Sequence, residues 1–273
     1  GIPLPDPPSP PVWLNHSAGG AMITYAVFLG GLGLFVGSFL GLVSWRLPRG
    51  EGVVLGRSRC GSCGRDLPPW RMIPVFSWLV SRGRCANCAG PIPLRYPLME
   101  IGSSLIGVWA GLHHTELAPA LLTAVLGWQL LLLAVVDAEH FWLPDQLTLP
   151  LLLSGFIAAF CLRPHDAGAA FVHAGLGALL GFSGLWLVAR LYRIVRKRDG
   201  LGGGDPYMLG AGGAWVGALA LPTTLLWASA AGLSLIVAQL AVRRKVRATD
   251  RLPFGVFLAV GLWMTWLYGP LGR

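Results

Sequence analysis

The stretch AMITYAVFLGGLGLFVGSFLGLVSWRLPRG, residues 21–50, decides the fold. No residue from Ala21 to Trp45 is charged, and Arg46 and Arg49 follow at once. At about 1.5 Å of rise per residue, a helix of this length crosses a hydrocarbon core of roughly 30 Å. The run is too long for the apolar core of a signal peptide and ends on arginines. It reads as a retained first transmembrane helix, 20–43, running from outside to inside. Before it, residues 1–19 are Pro-rich and lack Lys and Arg, which predicts an extended periplasmic arm.

The rest of the chain repeats the pattern. Of 273 residues, 54% are hydrophobic and 12% charged, with mean hydropathy +0.62. A soluble domain carries about 25% charged residues. Further apolar spans are expected near 96–113, 118–136, 147–163, 168–190, 207–221, 223–242 and 253–270. The fold class is therefore an all-α polytopic membrane protein of about eight transmembrane helices. A small polar insert, 44–95, lies between the first two, and residues 96–273 form a seven-helix core. The net charge of +9 does not point to nucleic acid, because of where it sits. Nine of the 21 Lys and Arg lie between Trp45 and Tyr96, five in 190–198 and five in 243–251. Basic clusters alternating with apolar spans are what the positive-inside rule produces. With the N-terminus outside, all three clusters fall on the cytoplasmic side.

The insert carries CGSC (60–63) and CANC (85–88). Cys60, Cys63, Cys85 and Cys88 form two Cys-x-x-Cys pairs, a tetrahedral thiolate set suited to structural Zn²⁺. Reducing cytoplasm favours metal over disulfides, although free thiols or disulfides are the bland alternatives. Cys161, alone in an apolar span, reads as a small buried hydrophobe. The apolar run MIPVFSWLV, 72–80, lies between the two pairs. It is either the insert's own small core or a segment on the membrane surface.

Ionisable groups at membrane depth are costly and mark function by default. VVDAEHFWLPD places Asp137, Glu139 and Asp145 at the end of the third span, and GLGGGDPYMLG places Asp205 at the start of a later one. The topology puts Asp137 and Asp205 at one face and similar depth. Two carboxyls in a dehydrated place do not both ionise readily, so such a pair can supply a general base and a general acid. The glycines before Asp205 would let an extended peptide come close. The plain alternatives are helix caps: Gly-Asp-Pro is a good helix start, and so is Pro-Asp at 144–145.

At this point the chain resembles the type 4 prepilin peptidases, bifunctional leader peptidases and N-methyltransferases of pilus and type II secretion systems. The resemblance rests on GLFVGSFLGLVSWRLPRG (33–50), the two Cys-x-x-Cys pairs, PLRYPLMEI (93–101), VDAEHFWLPD, and GGGD (202–205) in the Gly-x-Gly-Asp form of presenilin-type proteases. It implies cleavage of prepilin or pseudopilin leaders at the cytoplasmic membrane face by Asp137 and Asp205. Glu139, Asp145, Gly202 and Gly204 would support the site. It also implies methylation of the new N-terminus from S-adenosylmethionine, associated with Gly83, Arg84 and Glu100. The chain departs from the family in having Pro206 and Tyr207 where relatives carry a Lys-bearing motif, and Gly41 where Asn is usual. Two other readings stand beside this one. A proton- or ion-coupled transporter with a regulatory zinc domain would use the same carboxylates, and a non-catalytic assembly subunit would not need them.

Overall fold

The computed structural model describes residues 16–53, 59–197, 200–242 and 252–271. The expected arm, 1–19, falls almost wholly outside these residues, and the basic run 243–251 wholly outside them. Nine α-helices form among the described residues: α1 (His16–Arg46), α2 (Phe76–Val80), α3 (Arg95–His113), α4 (Leu117–His140), α5 (Asp145–Leu162), α6 (Ala167–Arg196), α7 (Asp205–Val216), α8 (Leu221–Ala241) and α9 (Phe254–Tyr268). Among the described residues, extended pairing is confined to two isolated bridges, Arg59 with Asp66 and Arg84 with Pro91.

All but α2 coincide with the expected spans. Five helical segments, containing α1, α4, α5, α6 and α8, are long and apolar enough to cross a membrane, which makes this a multi-pass membrane protein. The expectation of eight crossings is not met by that measure. At 12 residues α7 is about 18 Å long, short of a full crossing. Its composition has a different cause. Ten of its residues are buried, because α7 is the centre of the bundle, against α5, α6 and α9.

Small residues make that centre possible. The carbonyl oxygens of Gly177 and Gly213 each occupy the space a Cβ on the other would need, so α6 and α7 touch backbone to backbone. The same device joins α1 to α3, where Gly33 meets Ser103 and Gly107 meets Leu29. Helix α4 is the shared wall. Leu126, Leu130 and Leu133 pack into the cluster formed with α5 and α7–α9, while Trp128, Leu132 and Val136 pack towards α1 and α3. Asp137 lies on this wall near its end.

One minor expectation fails: Cys161 is exposed on α5. Of the two readings of the run 72–80, the core reading is disfavoured, since α2 buries none of its residues.

Candidate active site

Three charged side chains are buried among the described residues: Glu100, Asp137 and Asp205. The two aspartates come together. Asp137 and Asp205 are 5% and 2% exposed, and lie near enough for the charge of one to act on the other. No lysine or arginine pairs with either among the described residues.

Backbone amides hold them instead. The Gly202 N–H donates to Asp205 Oδ2 at 2.8 Å, and the Asp205 N–H to the Gly202 carbonyl at 3.3 Å. The Gly-rich approach thus folds back onto its own carboxylate. The helix cap that Gly-Asp-Pro suggested is not what forms. Gly204 is the N-cap, Asp205 is the first helical residue, and its side chain caps nothing in α7. Gly204 is needed for close approach, since a Cβ there would strike Leu143.

Asp137 is held from the far end of the sequence. The Val256 N–H, in the first turn of α9, donates to Asp137 Oδ2 at 3.3 Å. A Cβ on Gly255 would stand 2.8 Å from that oxygen and 2.9 Å from Leu143. Leu143, 7% exposed, therefore wedges between the two supports, touching Gly204 on one side and Gly255 on the other. Sequence reasoning missed Leu143, Gly255 and Val256. The signal was Pro253-Phe254-Gly255, a helix start that the expected topology put at the same face as both aspartates.

The supporting acids do other things. Glu139 pairs with Arg95 of α3, whose guanidinium also donates to the Ser44 hydroxyl and carbonyl at 3.3 and 3.4 Å. Glu139 thus ties the ends of α1, α3 and α4 together. Asp145 is exposed as the first residue of α5, where a carboxylate favours the positive end of the helix dipole; the cap position itself is Pro144.

The insert gathers Cys60, Cys63, Cys85 and Cys88 with all four sulfurs within 4.8 Å of one another. Sulfurs around a tetrahedral Zn²⁺ at 2.3 Å stand about 3.8 Å apart, and Cys60 Sγ lies 3.8 Å from Cys88 Sγ. Both halves are built alike. Cys60 N–H donates to Arg65 O and Gly64 N–H to Cys60 O, at 2.9 and 2.8 Å. Cys85 N–H donates to Gly90 O and Ala89 N–H to Cys85 O, both at 2.8 Å. The backbone amides of Cys63, Arg65 and Asn87, facing Cys60, Cys63 and Cys85 respectively, hold those thiols below their ordinary value. Cys88 differs: the Gly90 amide favours its thiolate, but the Cys63 side chain and burial outweigh it and push the thiol up to about 11. The donor set can hold a metal ion.

The three residues associated with methylation occupy separate settings. Gly83, at φ 67°, lies under the Trp78 indole. Arg84 is exposed. Glu100 is 6% exposed and accepts the Val75 N–H at 2.6 Å.

Comparison with known proteins follows the same division. Residues 32–114 match the Bacterial Peptidase A24 N-terminal domain, and residues 123–237 match the Type IV leader peptidase family. A prepilin leader peptidase/N-methyltransferase of Pseudomonas aeruginosa is 35% identical over 87% of this chain and 88% of its own length. One from Dichelobacter nodosus is 35% identical over 89% and 91%. A type 4 prepilin-like proteins leader peptide-processing enzyme of Escherichia coli is 35% identical over 84% and 88%. No solved structure matches the chain. On the two matched domains and on identity over nearly its whole length, the chain belongs to the type IV leader peptidase family.

Proposed function

We propose that this protein is a prepilin peptidase of the inner membrane: an aspartic endopeptidase that removes the leader of a type IV prepilin or pseudopilin. The observation that carries the reading is the pair of buried carboxylates, Asp137 and Asp205, each fixed through Oδ2 by a backbone amide and neither paired with a cation among the described residues. In this reading Oδ1 of each takes part in the reaction. One carboxylate takes a proton from water while the other, protonated, donates to the scissile carbonyl oxygen. Attack on the carbonyl carbon gives a tetrahedral diol. Its collapse breaks the C–N bond, and the proton taken from water passes to the leaving amine. Gly202 and Gly204 let the backbone of Asp205, and of an extended peptide, approach closely.

In this reading the site opens to the cytoplasm, where the leader lies, and the pilin's hydrophobic segment stays in lipid. The insert 44–95 is a zinc-binding domain whose four-cysteine site is closed and structural, as a full ligand set requires. Glu139 and Asp145 support the site indirectly, through the helix ends they sit on. The relatives' names add N-methyl transfer, for which S-adenosylmethionine would supply the methyl group. Gly83, Arg84 and Glu100 remain its candidate residues by resemblance. The relatives are peptidases, so the transporter alternative falls away.

The test is to incubate the full chain in nanodiscs with a prepilin N-terminal peptide and read products by mass. A cut after the leader, and a gain of one methyl on the new N-terminus when S-adenosylmethionine is added, support both activities. A cut without methylation keeps the peptidase alone. An intact peptide refutes the reading.

A further inference from the structure

The run 72–80 was expected to be either the insert's core or a surface segment, and it is not core, nor is Trp70 just before it. Trp70, Phe76, Leu79 and Val80 are each between 60% and 70% exposed. Exposed apolar groups this dense are rare on a surface that faces water. Pro74 and Trp78 face inward instead, Trp78 donating from Nε1 to the Ile92 carbonyl at 3.1 Å. The segment therefore has an inner face against the insert and a larger apolar outer face.

Its height can be read from the helices. Arg46, Arg49 and Arg95 mark the ends of α1 and α3, with Arg49 stacked 3.5 Å over Trp45. Arginine and tryptophan at a helix end are the signature of the headgroup level. Val75 is bound by its N–H to Glu100, which lies five residues inside α3 from Arg95. That places the bond about 7.5 Å inward from the arginines. Glu100 in turn packs on Gly37, nine residues before the end of α1. The turn that makes this possible is strained. Val75 adopts φ 60° and ψ −51°, and the Phe76 N–H closes on the Pro74 carbonyl at 2.5 Å. A β-branched residue so held is strained and persists only where its surroundings enforce it.

We infer that residues 70–80 are an interfacial anchor, seated in the headgroup and upper acyl region of the bilayer, which fixes the metal-binding turns at the membrane surface. The occupant of the outer face is lipid. At the start of α3, Leu94 and Leu98 are likewise 59% and 64% exposed. From Leu67 to Arg95 there is no acidic residue, while Arg71, Arg82 and Arg84 are exposed and suit an anionic headgroup. The inference stands whether or not the protein cleaves pilins.

The full chain would be placed in nanodiscs of phosphatidylethanolamine and phosphatidylglycerol, with an environment-sensitive fluorescent amino acid at position 79, 80 or 87 in turn. Quenching by a shallow nitroxide lipid is compared with quenching by aqueous iodide. Positions 79 and 80 should be quenched several-fold more by the lipid than by iodide, and position 87 the reverse. Iodide quenching at 79 and 80 equal to that at 87 would overturn the anchor. Protection from both quenchers would also overturn it, because protein and not lipid would then cover the face.

Discussion

Asp205 and Glu100 are both buried acids, yet opposite means hold them. Asp205 takes an amide three residues away, within the turn that starts its own helix. Glu100 takes an amide 25 residues away, from a strained turn in the insert. One support is local and sits in a bundle closed by backbone contact. The other exists only while the insert keeps its shape, and an insert of this size has little core to keep it. The peptidase half should therefore be robust on its own, and the amino-terminal half should depend on metal.

The largest effect expected is at the cysteines. Chelation, or Cys60→Ser, would remove the metal proposed for the four-cysteine site, which in small zinc-binding peptides is worth roughly 10–16 kcal/mol. Tryptic cleavage at Arg82 and Arg84 should then accelerate, while cleavage after Arg196 and Lys197, at the exposed end of α6, keeps the rate it had before chelation. Simultaneous digestion of both halves would erase the contrast. Next comes Gly213→Val, which forces α6 from α7 and should cost about 3–5 kcal/mol. Gly184→Val, in open space on the same α6, should shift the thermal midpoint little. A smaller effect is expected at Gly255→Ala, whose methyl would displace Asp137. Cleavage should fall roughly 10²-fold, the cost of about 1 Å of misplacement, with bound metal unchanged; an unaltered rate would remove α9 from the site. The smallest is Arg95→Ala. Its partner Glu139 has a side chain 40% exposed, so solvent screening should keep the loss to about 1 kcal/mol or less. A larger shift in melting would mean that this tie matters more than its exposure suggests.

The sequence was most legible where one local pattern carries one physical demand. Apolar runs located eight helices to within about six residues, and two Cys-x-x-Cys pairs foretold the sulfur cluster. It was least legible where partners are distant. Nothing near Asp137 announces Val256, 119 residues away, and nothing near Leu143 says that it separates Gly204 from Gly255. The Gly- and Ala-rich stretch at α7 reads as one more span because an apolar run does not say whether its contacts are with lipid or with protein. Its residues were chosen for contact with other helices. The turn at Asp205 misled in a narrower way: a cap and a folded-back carboxylate share the Gly-Asp-Pro signature, and only the direction of the side chain separates them.

The central claim is that Asp137 and Asp205 act as one catalytic pair. The most direct measurement is the single-turnover rate of prepilin-peptide cleavage by the unaltered chain, Asp137→Asn and Asp205→Asn. Metal content and helicity are checked in each. Loss of cleavage by at least about 10³-fold in both variants, with metal and helicity intact, is predicted, since members of a catalytic unit fail together. A variant that still cuts at the unaltered rate would contradict the pair.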